Sequence, residues 1–189
     1  MDLTTRIRNI LIAPKREWPV IAEEPADAAS LYTGYVLPMA AIPPVCSAIG
    51  LSVVGIMAYR MGFGAALGWA ITRYVLSLVA VYVAALIASK LAPTFGGQDN
   101  LVQGLKLIAY SATASWVGGV FGLIPVLSIL GVLMSLYSLY LLFTGAAVVM
   151  SVPEDRAVGY SAAVIIATIG VFLILLWLAA IIAGHSMML

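Results

Sequence analysis

Apolar residues in this sequence are gathered into five long runs, separated by short polar segments. An α-helix needs about 20 apolar residues to cross a bilayer, and every run reaches or approaches that length. The runs are residues 31–59, 63–91, 105–121, 124–150 and 160–184. The pattern predicts an all-α polytopic membrane protein, with a five-helix transmembrane bundle in residues 31–189 and a short amphipathic N-terminal cytoplasmic segment in residues 1–30.

The composition excludes an ordinary soluble protein. Of the 189 residues, 63% are hydrophobic and 9% are charged, whereas soluble domains carry about 25% charged residues. The formal net charge of +1 gives no electrostatic basis for binding nucleic acid. The predicted partners are therefore membrane lipids, together with another membrane protein or a second copy of this chain.

Lysine and arginine are distributed unequally between the two sides of the predicted bundle. One side holds Arg6, Arg8, Lys15, Arg16, Lys90, Lys106 and Arg156. The other side holds only Arg60, and the turn "GGVFGLIP" carries no charge. Because basic residues concentrate on the cytoplasmic side, we expect an integral protein of the cytoplasmic (inner) membrane, with its N-terminus inside and its C-terminus on the opposite side.

The first thirty residues are predicted to form a separate helical element. Leu3, Ile7 and Ile10 recur at helical spacing, which indicates an amphipathic helix that lies on the inner leaflet and ends at Pro14. Such a helix could sense lipid or cover the cytoplasmic end of the bundle. We favour the covering role, because the segment is short and only weakly basic.

A second polar segment, "SVPEDRAVGY" at residues 151–160, is predicted to start the fifth helix. Ser151 and Glu154 have the spacing of a capping box, and Glu154 and Asp155 suit the positive end of a helix dipole. Capping accounts for these charges, which also offer a docking point. The candidate cytoplasmic contact residues are Arg6, Arg8, Lys15, Arg16, Trp18, Glu154, Asp155 and Arg156.

Proline is concentrated in the first predicted span, at Pro38, Pro43 and Pro44. Each proline removes a backbone donor, and the tandem pair is predicted to kink or break the helix. Broken helices at mid-membrane are typical of transporter binding sites. A kinked packing helix is the simpler interpretation, because the sequence shows no repeat that would supply a matching break.

Arg73 lies inside the second predicted span, with no acidic residue near it in sequence. It is ten residues from the start of that span, or roughly 15 Å at 1.5 Å per residue. Its partners could be carbonyls freed by the prolines, hydroxyl groups, a lipid phosphate, or an acid on another chain. The first two partners imply a structural role and the last two a functional one. The alternatives remain open, and a wet cavity that reaches Arg73 would favour function.

Small and hydroxylated residues recur at helix-packing distances in the predicted spans. Glycine or serine pairs occur four residues apart at 64 and 68, 118 and 122, and 131 and 135, a spacing that allows close helix approach. Ser128, Ser135 and Ser138 lie near one face of the fourth span. They predict a packed seam or, as the alternative, a polar pathway.

The reactive groups that an enzyme needs are missing from the spans. The only histidine is His185, and every aspartate and glutamate lies outside the five runs. No His, Cys, Asp and Glu cluster has metal-ligand spacing, and no P-loop is present. We therefore predict a protein that is not an enzyme and that uses neither a cofactor nor a metal.

Two segments resemble the bacterial branch of the YIP family, the Ypt-interacting-protein-like membrane proteins. The first is "SLYSLYLLFTGAAVVMSVPEDRAVGYSAAVIIA", residues 135–167, and the second is "APKREWPVIAEEP", residues 13–25. The first is recognised by the spacing of Tyr137, Tyr140, Gly145, Met150, Pro153 and Tyr160. The second shares a proline followed by a tryptophan. The resemblance implies a five-helix bundle with a cytosolic N-terminal region.

In eukaryotic members the resemblance implies binding of Rab-type GTPases and a role in vesicle traffic. That role is not carried over to this chain. "SLYTGYVLP" keeps Leu31, Tyr32, Gly34 and Pro38, but it lacks the acidic residue and the Gly-Pro contact of the eukaryotic pattern.

Two functions follow from these observations. The preferred one is a non-enzymatic scaffold or accessory protein that organises or assists other membrane components. Its contacts would be the small-residue faces and the cytoplasmic elements at residues 1–30 and 151–158. The alternative is a small transporter, channel or lipid-handling protein, with a site formed by Arg73 and the proline-containing first helix.

Overall fold

A computed structural model describes residues 2–55 and 60–186, with side chains described as far as residue 174. All secondary structure within these ranges is helical, which confirms the predicted all-α class. The α-helices are α1 (Leu3–Ile12), α2 (Pro14–Glu23), α3 (Ala28–Leu31), α4 (Leu37–Ile49), α5 (Phe63–Leu91), α6 (Leu101–Ser111), α7 (Thr113–Gly118), α8 (Ser128–Val149) and α9 (Glu154–Ser186).

Four helical segments are long and apolar enough to cross a membrane. They are Ala28–Val54, Phe63–Phe95, Pro125–Val149 and Glu154–Ile174. They correspond to the first, second, fourth and fifth predicted spans, although residues 56–59 at the end of the first prediction and the side chains beyond residue 174 lie outside the described parts. The third predicted span, residues 105–121, is not among the four.

The third segment is helical, but it is divided into short pieces. It consists of α6, α7 and a 3₁₀ turn, Gly119–Leu123. The Thr113 hydroxyl donates to the Tyr110 carbonyl at 2.7 Å, and the Ser115 hydroxyl donates to the Ala112 carbonyl at 2.8 Å. Because such bonds compete with backbone N–H groups for the same carbonyls, they favour a division of the helix at this point.

This divided segment runs alongside the first long helix in the same direction. Near one end, the Tyr35 hydroxyl hydrogen-bonds that of Thr113 at 2.7 Å. Towards the other end, a Cβ on Gly50 would collide with the carbonyl oxygen of Gly122. Between them, a Cβ on Gly119 would lie 2.6 Å from the ring of Pro43. The glycines therefore allow the two chains to lie in direct backbone contact.

The first long helix continues through all three of its prolines. Pro38, Pro43 and Pro44 lie within α4, and a π-helical turn adjoins that helix on each side, at Tyr32–Val36 and Gly50–Val54. Of the two alternatives that the sequence left open, a kink or a break, the break is not observed, and the helix continues as expected for a packing helix. Wider π-helical turns are one known way to accommodate backbone groups that lack an ordinary helical partner.

Helices α1 and α2 form a helical hairpin that packs against one end of the bundle, which we call the hairpin end. Trp18 of α2 is fully buried, and its indole N–H donates to the Thr144 hydroxyl of α8 at 3.1 Å. A Cβ on Gly145 would lie 2.6 Å from the Trp18 ring. Glycine at this position is thus required for the tryptophan to enter the bundle.

The turn between α8 and α9 also lies at the hairpin end. Ser151 has a φ of 54°, and α9 begins at Glu154. The predicted capping box at Ser151 is therefore wrong, because a capping residue has extended backbone and directly precedes the helix. Glu154 and Asp155 do lie in the first turn of α9, as the dipole argument predicted.

Candidate functional site

A cavity of about 520 Å³ lies between α4, α5, α7 and α8 and reaches Arg73. We call the end of the bundle that contains it the cavity end, since it lies towards Gly122 and away from the hairpin end. Its lining residues are small or polar for the most part. They include Pro43, Pro44, Ser47, Arg73, Ser77, Ser115, Gly119, Gly122, Ser128, Gly131 and Ser135.

The guanidinium of Arg73 lies 4.8 Å from the centroid of the Trp69 ring. Trp69 precedes Arg73 by four residues on α5, so it lies one turn nearer to the helix start at Phe63. Because side chains on a helix point back towards its N-terminus, the charge of Arg73 lies closer to the membrane surface than its Cα. This geometry lowers the cost of placing an arginine in a span.

Within the described residues Arg73 has no protein counter-ion, and the interaction it makes there is the contact with Trp69. The two structural alternatives, capping by carbonyls freed at the prolines and bonding to hydroxyl groups, are not formed there. A cation–π contact contributes about 0.5–1 kcal/mol when exposed, which leaves five guanidinium N–H donors with unfilled capacity. The cavity can therefore supply an N–H fork to an anion.

Serine hydroxyls complete the polar lining of the cavity. Ser77 donates to the Tyr74 carbonyl at 2.7 Å, and Ser135 donates to the Gly131 carbonyl at 3.0 Å. Each oxygen keeps lone pairs that can accept bonds from water or from a ligand hydroxyl. Ser138, in contrast, accepts from the backbone N–H of Ser115 at 2.9 Å. The predicted serine face thus divides into a packed contact and a cavity wall.

Two of the candidate cytoplasmic contact residues lie inside the protein. Arg6 is 3% exposed, and it pairs with Glu17 at 2.6 Å and with Glu24 of the same hairpin. Trp18 is buried against α8 as described above. Arg6, Glu17 and Glu24 form a group that we call the Arg6 cluster, and it joins α1 to α2. This is consistent with the covering role expected for this segment.

Lys106 joins the same cluster to the bundle, a role that the sequence did not indicate. Its ammonium donates to the carbonyls of Ala22 at 3.2 Å and Glu24 at 2.7 Å. These carbonyls terminate α2, where a cation complements the helix dipole. The sequence showed Lys106 only as an orientation signal. The seven-residue spacing of Glu17 and Glu24, which places them on one helix face, was the available hint of a buried partner.

The remaining candidate contact residues are exposed at the hairpin end. They are Arg8, Lys15, Arg16, Glu154, Asp155 and Arg156. Asp155 and Arg156 approach each other at 4.0 Å and are both well exposed. A pair of this kind contributes little stability, so these residues remain free for external contacts.

Residues identified in the resemblance lie at the hairpin end and hold it together. The Tyr137 hydroxyl donates to the Leu11 carbonyl at 2.8 Å, which ties α8 to α1. The Tyr160 hydroxyl donates to the Ala88 carbonyl at 2.8 Å, which ties α9 to α5. With Gly145 and Trp18, they form the shared packing of this end rather than the cavity.

The long apolar helices and the polar cavity between them define an α-helical integral membrane protein. The chain belongs to the Yip1 family, since the Yip1 domain matches residues 8–183. It is 26% identical to the "Inner membrane protein YohC" of Escherichia coli K12 over 184 residues, which cover 92% of this chain and 93% of that protein. The protein of that name from strain O6:H1 matches equally. No solved structure matches the chain.

Proposed function

We propose that this protein binds a phosphate-bearing anionic group in the Arg73 cavity and that it handles, without catalysing a reaction, a lipid or solute carrying that group. The main support for this proposal is the cavity itself. It brings a guanidinium that has no counter-ion among the described residues to about 520 Å³ of space lined by small, polar and apolar residues. Phosphate suits a guanidinium because its oxygens accept two parallel N–H bonds.

The proposed setting is the inner membrane, crossed five times, with the hairpin end in the cytoplasm. The relative named above as an inner membrane protein supports the location. Contacts of the third segment with α4 from Tyr35 to Gly50 support a third crossing. The Arg73 cavity then opens towards the outer leaflet.

Cysteine accessibility tests this topology. In a Cys46→Ala background, Arg60→Cys and Arg156→Cys would be labelled with a membrane-impermeant thiol reagent. We expect labelling of position 60 in spheroplasts and of position 156 only after lysis. Labelling of both positions from the same side would reject five crossings with this orientation.

Binding is tested with Arg73→Gln in detergent-purified protein. Inorganic phosphate and phosphatidylglycerol would be titrated separately, with calorimetry for the first and native mass spectrometry for the second, so that solute and lipid sources are distinguished. Loss of a hydrogen-bonded charge contact is worth about 1.5–3 kcal/mol, or about 10- to 100-fold in affinity. Arg60→Gln is the matched control, since Arg60 is exposed and does not line the cavity.

The proposal predicts a loss for Arg73→Gln with one of the two probes and none for Arg60→Gln. Partial retention in Arg73→Lys would fit a charge without the fork geometry. Equal binding by the Arg73 and Arg60 variants, with either probe, would reject the cavity as the site.

The organising role is a second candidate, supported by an open small-residue face on α5. A Cβ on Gly64 or Gly68 would meet nothing within 4 Å, so a helix of another protein could approach there. We expect Gly64→Leu with Gly68→Leu to abolish crosslinking to a partner. Gly170→Leu on α9, another glycine with open space, is the control. Retained crosslinking in the double variant would reject this face as the contact.

A further inference from the structure

A second cavity, of about 360 Å³, lies at the hairpin end, far from Arg73. It is a groove between α2, the end of α8 and the start of α9. The lining residues are Lys15, Trp18, Phe143, Thr144, Ala147, Val148, Glu154, Ala157 and Val158. Its volume falls within the range of about 300–1,000 Å³ for small-molecule sites.

The groove is lined mainly by apolar side chains, together with one charged residue from each of two helices. Lys15 belongs to α2 and Glu154 belongs to α9. Both are exposed, and neither forms an ion pair with any residue that the structure describes. Two opposite charges thus line one groove without neutralising each other.

The other polar groups of the groove are already used. The Trp18 indole N–H donates to Thr144 at 3.1 Å, and the Thr144 hydroxyl donates to carbonyls of its own helix. Among the lining side chains, the ammonium of Lys15 and the carboxylate of Glu154 therefore remain to bind a ligand. One is a donor and the other an acceptor.

The groove lies where two apolar helices end. Helix α8 ends at Val149 and α9 begins at Glu154, so a bilayer crossed by these two helices would place the groove near its lipid headgroups. Val148 and Val158 are 40% and 66% exposed, and they extend the apolar lining along the surface of the bundle. A bound molecule would place its polar part near Lys15 and Glu154 and its apolar part against Val148 and Val158.

We propose that this groove binds a phospholipid whose headgroup is zwitterionic and carries a primary amine, as in phosphatidylethanolamine. Lys15 bonds the phosphate, and Glu154 bonds the ammonium. The acyl chains lie along Phe143, Val148 and Val158. The proposal is independent of the Arg73 cavity, which lies at the other end of the bundle and carries one charge of a single sign.

Charge complementarity selects this headgroup over the alternatives. An anionic phosphatidylglycerol would meet Lys15 but leave Glu154 without a partner. A choline headgroup carries a cation with no N–H to donate, so it forms no charge-assisted hydrogen bond with a carboxylate. A headgroup with a phosphate and a primary amine provides a partner for Lys15 and an N–H donor for Glu154.

The test uses purified full-length protein that carries Arg73→Gln, here called the parent protein, so that the Arg73 cavity does not contribute to lipid binding. Binding is compared by native mass spectrometry in an equimolar mixture of phosphatidylethanolamine and phosphatidylglycerol with identical acyl chains. Glu154→Gln is expected to reduce the preference for phosphatidylethanolamine by about fivefold, the scale of one exposed ion pair. Glu154→Lys should reverse the preference. Lys15→Gln should weaken binding of both lipids.

Neighbouring residues provide matched controls. Asp155→Asn removes a charge from the same first turn of α9, and Arg16→Gln removes one beside Lys15, but neither position lines the groove. Both controls should keep the preference of the parent protein. Because Asp155→Asn loses the same dipole interaction as Glu154→Gln, it separates a structural effect from loss of the ligand contact.

Three outcomes would overturn the proposal. The first is a parent protein that prefers phosphatidylglycerol or shows no preference. The second is an equal change in Glu154→Gln and Asp155→Asn. The third is an unchanged preference in Glu154→Lys, with the protein folded as judged by circular dichroism.

Discussion

The two ends of the bundle differ in whether a buried or membrane-embedded charge has a protein partner. At the hairpin end, Arg6 is paired with Glu17 and Glu24, and Lys106 caps α2. At the cavity end, Arg73 is exposed beside a polar cavity and lacks a protein counter-ion within the described residues. This difference indicates that a cation in an apolar chain is a candidate binding site when the protein leaves its hydrogen-bond donors without partners.

The largest expected effect comes from removing Arg6. Arg6→Met leaves the 5% exposed carboxylate of Glu17 without its partner, and breaking a buried pair costs about 3–5 kcal/mol. Arg73→Met removes no ion pair that the described part of the chain forms, and it should leave the free energy of unfolding nearly unchanged. Both values would be measured by unfolding the purified protein in mixed detergent micelles.

Arg8→Met is the control for this comparison, because Arg8 is exposed on the same helix as Arg6. A similar loss of stability in the Arg6 and Arg73 variants would show that the two ends do not differ in this way. It would also favour a structural role for Arg73.

The same contrast explains which parts of the structure could be predicted from sequence. The apolar runs place α5 at its observed bounds, 63–91, because hydrophobic length alone defines a span. The Arg6 cluster was not predicted, since Arg6 is 18 residues from Glu24 and 100 from Lys106. Periodicity identifies faces of helices, but it does not identify which faces meet.

The third segment shows a second limit of sequence reasoning. Its apolar length predicted an uninterrupted span, whereas the Thr113 and Ser115 hydroxyls accompany a division into short helices. At the prolines the sequence left a kink and a break as alternatives. The helix continues through Pro43 and Pro44, and the π-helical turns on both sides can accommodate local backbone changes. The candidate residue Arg73 could be identified from the sequence because a lone charge in a span is conspicuous without any partner.

Glycine substitutions should have an intermediate effect on stability. They compare tight packing at the hairpin end with the open face of α5. Gly145→Ala would place a Cβ 2.6 Å from the Trp18 ring at the hairpin end, and overpacking of this kind costs about 1–3 kcal/mol. Gly64→Ala on α5 meets open space and should be neutral or slightly stabilising, because alanine favours a helix over glycine. The shift of the thermal midpoint of each variant gives the measurement.

A destabilised Gly64→Ala would indicate that the open face of α5 is occupied in the purified protein, as the organising role requires. An unchanged midpoint for Gly145→Ala would mean that α2 moves away from α8 at little cost. In that case the tight packing assigned to the hairpin end would be incorrect.

The smallest expected effect concerns Asp99, which lies in the loop between α5 and α6 at the hairpin end. Hydrogen bonds from the Lys90 ammonium at 2.7 Å and the Ser89 hydroxyl at 2.6 Å lower the pKa of the Asp99 carboxyl. Because the folded pKa is below the unfolded one, the stabilisation is fully present above the ordinary carboxyl range and is lost as the pH falls through the lowered pKa. The effect should be small, since the Lys90–Asp99 pair is exposed. Thermal midpoints of wild type and Asp99→Asn, measured from neutral pH to a pH below the lowered pKa, should differ at neutral pH and converge in acid. A difference between the two midpoints that persists at the lowest pH would show that the substitution acts through packing rather than through charge. The contact of Asp99 with Lys90 would then not contribute to the stability of the hairpin end.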